Sequence, residues 1–101
     1  MLLTGDSPLA IENYLMSVDS EILDSDILKL GHHGSKTSTS EKYLSAVSPE
    51  YAIISAGKGN SYGHPNKEVL DILTKEKVPS LGTYDLGNIT FISDGMKFVR
   101  D

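Results

Sequence analysis

Residues Asp26 to Ser55 read "DILKLGHHGSKTSTSEKYLSAVSPEYAIIS", and this stretch decides the fold. It opens on a short apolar run, Asp26 to Leu30, of the length and type expected of a buried strand. Two adjacent histidines follow between glycines, and then a tract of small hydroxylated residues. Ser38 and Glu41 stand at the spacing of a capping box, which predicts a helix running to about Val47. Ser48-Pro49 ends that helix. Tyr51 to Ser55, "YAIIS", is the clearest buried strand in the chain, because four of its five residues are apolar or aromatic. Strand, loop, helix and strand in this order form a βαβ unit, which implies parallel pairing through a crossover helix.

The pattern continues on both sides. Leu2 to Thr4 reads as a strand ending in Gly5-Asp6. Ser7-Pro8 then opens a helix, with serine as N-cap and proline in the first turn. Its apolar stripe is Leu9, Ile11, Tyr14, Leu15 and Val18. Downstream, Ala56 to Pro65, "AGKGNSYGHP", is a loop rich in glycine and small polar residues. A third helix is expected from about Pro65 to Glu76, turning Val69, Leu70, Ile72 and Leu73 inward. A fourth strand spans Val78 to Thr83. Asn88 to Ser93 and Met96 to Arg100 make a hairpin across Asp94-Gly95, a pair that favours tight primed turns. The expected architecture is α/β, in the order β-α-β-α-β-α-β followed by a β-hairpin. Buried-type strands in so small a sheet need more cover than three helices provide.

Composition narrows the function classes. The chain has 101 residues, enough for one small unit, with 39% hydrophobic and 23% charged residues. Its net charge of -5 argues against broad electrostatic binding of nucleic acid, so any polyanion must be met locally by a metal ion or by a few aimed side chains. Cysteine is absent, which removes disulfides and thiolate metal sites. No run approaches the roughly 18 apolar residues that a membrane span needs.

In open α/β sheets, ligands gather at the carboxyl ends of strands. Three polar clusters fall there: Gly5-Asp6, then Gly31 to Ser35, then the loop ending in His64. Asp6 can bind or bridge metal ions through both carboxylate oxygens, or it can cap the helix that follows. Imidazole is a common zinc ligand, but in an extended segment His32 and His33 point to opposite sides, so one is expected to ligate while the other holds the loop or a substrate. His64 directly precedes a helix and can donate to a phosphate. Ser35 and Lys36 supply a hydroxyl and a cation beside the histidines and can contact phosphate oxygens, whereas Ser38 is better read as a helix cap. Asp6, one histidine of the pair and His64 make two or three ligands, so the chain looks like part of a metal site.

The segments "LLTGD", "DILKLGHHGSKTSTS" and "SPEYAIISAGKGNSYGHPNKEVLDIL" resemble the metallo-β-lactamase-like domain of the ComEC family, the DNA-internalisation proteins of bacterial natural competence. The resemblance covers Leu2 to about Asp94. It implies an αββα sandwich hydrolase with a two-metal site of zinc or manganese, acting on DNA or another phosphoester. By resemblance, Asp6 is the metal-bridging aspartate, one of His32 and His33, with His33 favoured, is the last metal-ligating histidine, and His64 is an additional active-site histidine. The family's first ligands lie in an HxHxDH-type motif that is absent here, so residues 1–101 correspond to the C-terminal half of that domain. Asn66 stands where relatives often carry histidine, and "TYDLG" (Thr83 to Gly87) replaces a segment often reading RTDxxG. The resemblance further implies a membrane-embedded bacterial parent with this domain outside the cytoplasm, a soluble and inactive isolated fragment that holds little or no metal, and self-association where the missing half would pack. A non-catalytic binding or assembly module is the alternative.

Overall fold

The structure, a computed structural model, describes residues 1–19 and 21–100. The alternation expected from the sequence is present. Strands β1 (Leu2–Leu3), β2 (Ile27–Lys29), β3 (Tyr51–Ile54) and β4 (Ser80–Gly82) form one sheet in the order β1-β2-β3-β4, and every neighbouring pair is parallel. Helices α1 (Leu9–Asp19), α2 (Glu41–Val47) and α3 (Lys67–Lys75) connect them, and a short helix α4 (Thr83–Leu86) follows β4. Strands β5 (Phe91–Ser93) and β6 (Phe98–Arg100) pair antiparallel. Asp94 shapes their turn, its Oδ1 accepting from the Met96 and Lys97 amides at 2.8 Å. Among the described residues no helix is long and apolar enough to cross a membrane.

The main core lies on one face of the sheet, while Ile27 and Ile53 are buried on the other. Leu28, Ala52 and Ile54 pack with Tyr43, Leu44 and Val47 of α2 and with Val69 and Leu73 of α3. Helix α1 joins this core through Leu15 and Met16, not through the whole stripe read from the sequence. Leu9, Ile11, Tyr14 and Val18 are exposed. The inward face of α1 is instead Glu12, Leu15 and Met16, whose spacings of three and four put them on one side of a helix. An acid at the centre of that face hides it from an apolar pattern search.

The ends of elements also shift, each for a local reason. Helix α2 is capped by Ser40, whose Oγ accepts from the Tyr43 amide at 3.1 Å. Ser38 is not the cap: it is buried, and its hydroxyl donates to the Ser7 carbonyl at 2.6 Å. Glu41 leaves the expected capping box to pair with Lys75, Oε1 to Nζ 2.9 Å. Helix α3 begins after Asn66 rather than at Pro65. Strand β4 stops at Gly82 because Thr83 turns the chain, its hydroxyl bonding both the amide and the carbonyl of Ala56 at 3.1 Å.

The opposite face of the sheet carries the row Leu3, Lys29, Ile53 and Leu81, in register across all four strands. The buried residues of α2 and α3, with the half-buried Leu15 and Met16 of α1, cluster on the other side. The hairpin reaches this face through Phe91 against Tyr51, with ring centroids 5.4 Å apart, and Gly87 to Thr90 line a cavity over Ile53. Leu3 is 68% exposed. Parallel sheets are normally covered on both faces, so the helix-free face is the unusual feature of the fold. Leu28→Ala should destabilise the chain by about 2–5 kcal/mol in urea unfolding, as a fully buried leucine does. Leu3→Ala should change stability by less than ~0.5 kcal/mol. Equal costs would contradict this placement of the main core.

Candidate functional site

Three segments meet at the carboxyl ends of β1, β2 and β3. Leu30 is fully buried, and the chain then turns through Gly31–Gly34 as a short 3₁₀ element. His32 and His33 both occupy the left-handed region, with φ of 49° and 57°. The pair is therefore not extended, and the expectation that the two rings diverge fails for that reason. Successive left-handed residues curl the backbone, and the rings stay 6.4 Å apart by centroid. Left-handed non-glycine residues cost about 1–3 kcal/mol each and persist where surrounding structure over-determines them.

The surroundings here do so. The His32 amide donates to the Gly5 carbonyl at 2.8 Å, joining the histidine loop to the Gly5-Asp6 turn. The Thr37 hydroxyl lies 3.3 Å from His32 Nδ1. At the far end of the loop, Glu12 accepts two backbone amides, Thr39 into Oε2 and Ser40 into Oε1. Its side chain is buried. Burial pushes its pKa above the usual carboxylate value, and the Ser40 and Thr39 bonds oppose that rise without cancelling it. Thr39 is itself left-handed at φ 62°, and the carboxylate holds it so.

The third segment is pinned to the same loop. Asn66 receives the Lys36 amide on Oδ1 at 2.7 Å, donates from Nδ2 to the Gly63 carbonyl at 3.1 Å, and donates its own amide to the Gly34 carbonyl at 2.9 Å. Asn60 clamps the other side, donating to the carbonyls of Gly57 and His64 and accepting the His64 amide at 3.0 Å. Gly34, at φ +83°, lies where a Cβ would fall 2.7 Å from Pro65 Cβ, so no side chain fits at this crossing of the two loops.

The result is a cluster of three imidazoles. His64 sits edge-on to His32 at 5.6 Å and nearly parallel to His33 at 6.5 Å. His33, rather than His32, faces the carboxylate: its Nε2 is 4.0 Å from Asp6 Oδ1. His33 Nδ1 lies 2.7 Å from the Ser55 carbonyl. A carbonyl only accepts, so Nδ1 carries a proton, and in the neutral ring Nε2 presents its lone pair towards Asp6. Among the described residues no third His, Cys, Asp or Glu completes a metal-binding group. Lys36 is exposed at the edge of the loop. Ser35 is turned inward: its buried hydroxyl bonds the Thr37 hydroxyl at 2.9 Å and accepts the Thr37 amide at 3.2 Å, so it folds the loop instead of facing a ligand. Glu12, Asn60 and Asn66 were not legible as site residues, since each acts on backbone atoms of residues distant in sequence.

The chain is 43% identical over 90 residues to ComE operon protein 3 of Bacillus subtilis, covering 89% of this chain and 12% of that protein. It is 41% identical over 91 residues to competence protein ComA of Neisseria gonorrhoeae, covering 90% and 13% respectively. With recombination protein 2 of Haemophilus influenzae it shares 44% identity over 77 residues, 76% of this chain and 9% of that protein. The chain thus spans about a tenth of the length of these relatives. No protein-family profile and no solved structure matches it.

Two predictions follow from the loop anchors. Glu12→Gln leaves one of the two amides facing an NH2 group and should cost about 1–3 kcal/mol, the penalty for a buried donor left unsatisfied. Because the folded state raises the Glu12 pKa, its contribution is fully present below the unfolded carboxylate value and is lost as pH rises through the raised one. The stability gap between wild type and variant should therefore narrow as pH is raised from 4.5, measured by urea unfolding across pH. Gly34→Ala should destabilise by at least ~1 kcal/mol from its left-handed backbone alone, with displacement of the His64 loop visible as shifted imidazole resonances. Unchanged histidine spectra would contradict the crossing described.

Proposed function

We propose that these residues form one wall of a divalent-metal phosphodiesterase site that acts on DNA during uptake, within the metallo-β-lactamase-like part of a membrane-bound competence protein, the domain lying outside the cytoplasm. The observation that carries this reading is the facing pair of Asp6 Oδ1 and His33 Nε2, 4.0 Å apart, with the far nitrogen of His33 held by the Ser55 carbonyl. A hydrogen bond from the ring's far nitrogen to a carbonyl fixes the tautomer and orientation of a ligating histidine. The donor set, one imidazole nitrogen and one carboxylate, suits zinc or manganese. Two donors at ~2.1 Å from one ion with tetrahedral geometry stand about 3.4 Å apart, so the 4.0 Å pair would close by about 0.6 Å. When bound, such an ion supplies an activated water and charge neutralisation at a phosphate.

The other roles belong to side chains. His33 presents the Nε2 lone pair and keeps its proton on Nδ1. Asp6 is exposed and retains a second oxygen for a further ligand contact. His64 offers its imidazole to phosphate oxygens next to that pair, and Lys36 stands as a cation at the loop edge. Zinc takes three or four protein ligands, so the remaining donors must come from outside these residues. The helix-free sheet face is the surface where the rest of an αββα sandwich would pack, and in its absence that face favours self-association of the isolated chain. A non-catalytic assembly module is the second reading, favoured by the count of two facing ligands.

The test is metal-dependent DNA hydrolysis by the intact protein. Asp6→Ala and His33→Ala should each lower it by more than about 100-fold, beyond the loss that outer-shell partners cause, and should reduce bound zinc measured by mass spectrometry. Full activity with both variants would sink the phosphodiesterase reading. The 101-residue chain alone should show negligible hydrolysis with zinc or manganese.

A further inference from the structure

We propose that Tyr62, stacked on His64, is a platform for an unpaired nucleobase beside the phosphate-facing histidines. The proposal rests on the phosphodiesterase reading for the neighbouring phosphate, but the platform itself rests on ring geometry. Tyr62 is 79% exposed, and its ring lies on that of His64 at 5.7 Å with an interplanar angle of 27°. His64 in turn is within 17° of parallel to His33. Three near-parallel rings thus form a stepped column that runs from the Asp6–His33 pair outward and ends on an open aromatic ring. A cavity of about 210 Å³ opens beside it, lined by His33, Ala56, Gly57, Asn60, Tyr62 and His64.

The column is held from below. Asn60 fixes both the amide and the carbonyl of His64, and Asn66 fixes the Gly63 carbonyl. The step from the phosphate-facing imidazole to the Tyr62 ring is a single ring spacing, the reach from a phosphate to its own base. A flat ring continues the column by stacking, whereas an aliphatic or purely anionic ligand gains nothing from it. Base faces are accessible only in an unpaired strand, because a duplex hides them. With a net charge of -5, long-range attraction of phosphates is weak, so stacking must carry much of the local affinity and the salt dependence should be shallow.

The wild-type chain contains no tryptophan, so Tyr62→Trp installs a reporter at the platform. Its emission should be quenched by single-stranded oligothymidylate, and much less by an abasic phosphodiester strand of equal length or by a blunt duplex. In anisotropy titrations of labelled oligothymidylate, Tyr62→Ala should weaken binding about 5- to 150-fold, the worth of one stacked base, while Tyr62→Phe should bind as the wild type does. Equal affinity for abasic and base-bearing strands, or for Tyr62→Ala and wild type, would overturn the platform. Should Tyr62→Ala fail to fold, the tryptophan reporter and the abasic comparison still decide the matter. These binding assays need neither metal nor turnover. Hydrolysis that depends on Asp6 and His33 but is indifferent to Tyr62 would leave the phosphodiesterase reading standing without the platform, and base-dependent quenching without any hydrolysis in the intact protein would do the reverse.

Discussion

A single buried carboxylate organises the functional end of this molecule. Glu12 projects from α1 and accepts the amides of Thr39 and Ser40, so the helix that follows Asp6 and the loop that carries the histidines cannot move independently. Burying such a group is costly unless its lone pairs are satisfied, and the two amides satisfy both oxygens. The same contact holds Thr39 in a left-handed conformation and places Ser40 where it caps α2. Ser38 and Thr37 reinforce it from either side, the first donating to the Ser7 carbonyl and the second accepting the Leu9 amide on its carbonyl at 2.9 Å.

With that frame in place, strain in the loop can be sustained. Two consecutive histidines in the left-handed region would relax in an isolated peptide. Here the His32 amide is held by Gly5, His33 by Ser55, and the Gly34 carbonyl by Asn66. The first two bonds cross from one strand end to another and the third ties the histidine loop to the start of α3, so the sheet and α3 together set the distances between Asp6, His33 and His64. Preorganisation of this kind places donors before any ligand arrives, which lowers the cost of binding.

The sheet is less complete than its end. Its helices crowd one face and leave the other to the hairpin, and exposed apolar residues remain there and along α1. Relatives whose matched stretch makes up only 9–13% of their length share this segment at above 40% identity.

The sequence by itself determined the order of elements, because strand and helix periods are local properties of neighbouring side chains. "YAIIS" and "DILKL" could hardly be other than buried strands, and the glycine-flanked histidines were placed at a strand end by that order alone. The resemblance of "LLTGD", "GHHGS" and "YGHP" was also legible, since it depends on identity and not on shape. Tertiary structure decided which residues meet. The buried face of α1 runs through Glu12, a residue that hydropathy assigns to solvent, because its partners lie 27 and 28 positions away. The relative direction of His32 and His33 depended on two backbone angles that cross-loop hydrogen bonds impose. Asn60 and Asn66 became site residues only when folding brought carbonyls and amides within their reach, for hydrogen bonding is a matter of ångströms in space and carries no signature in spacing along the chain.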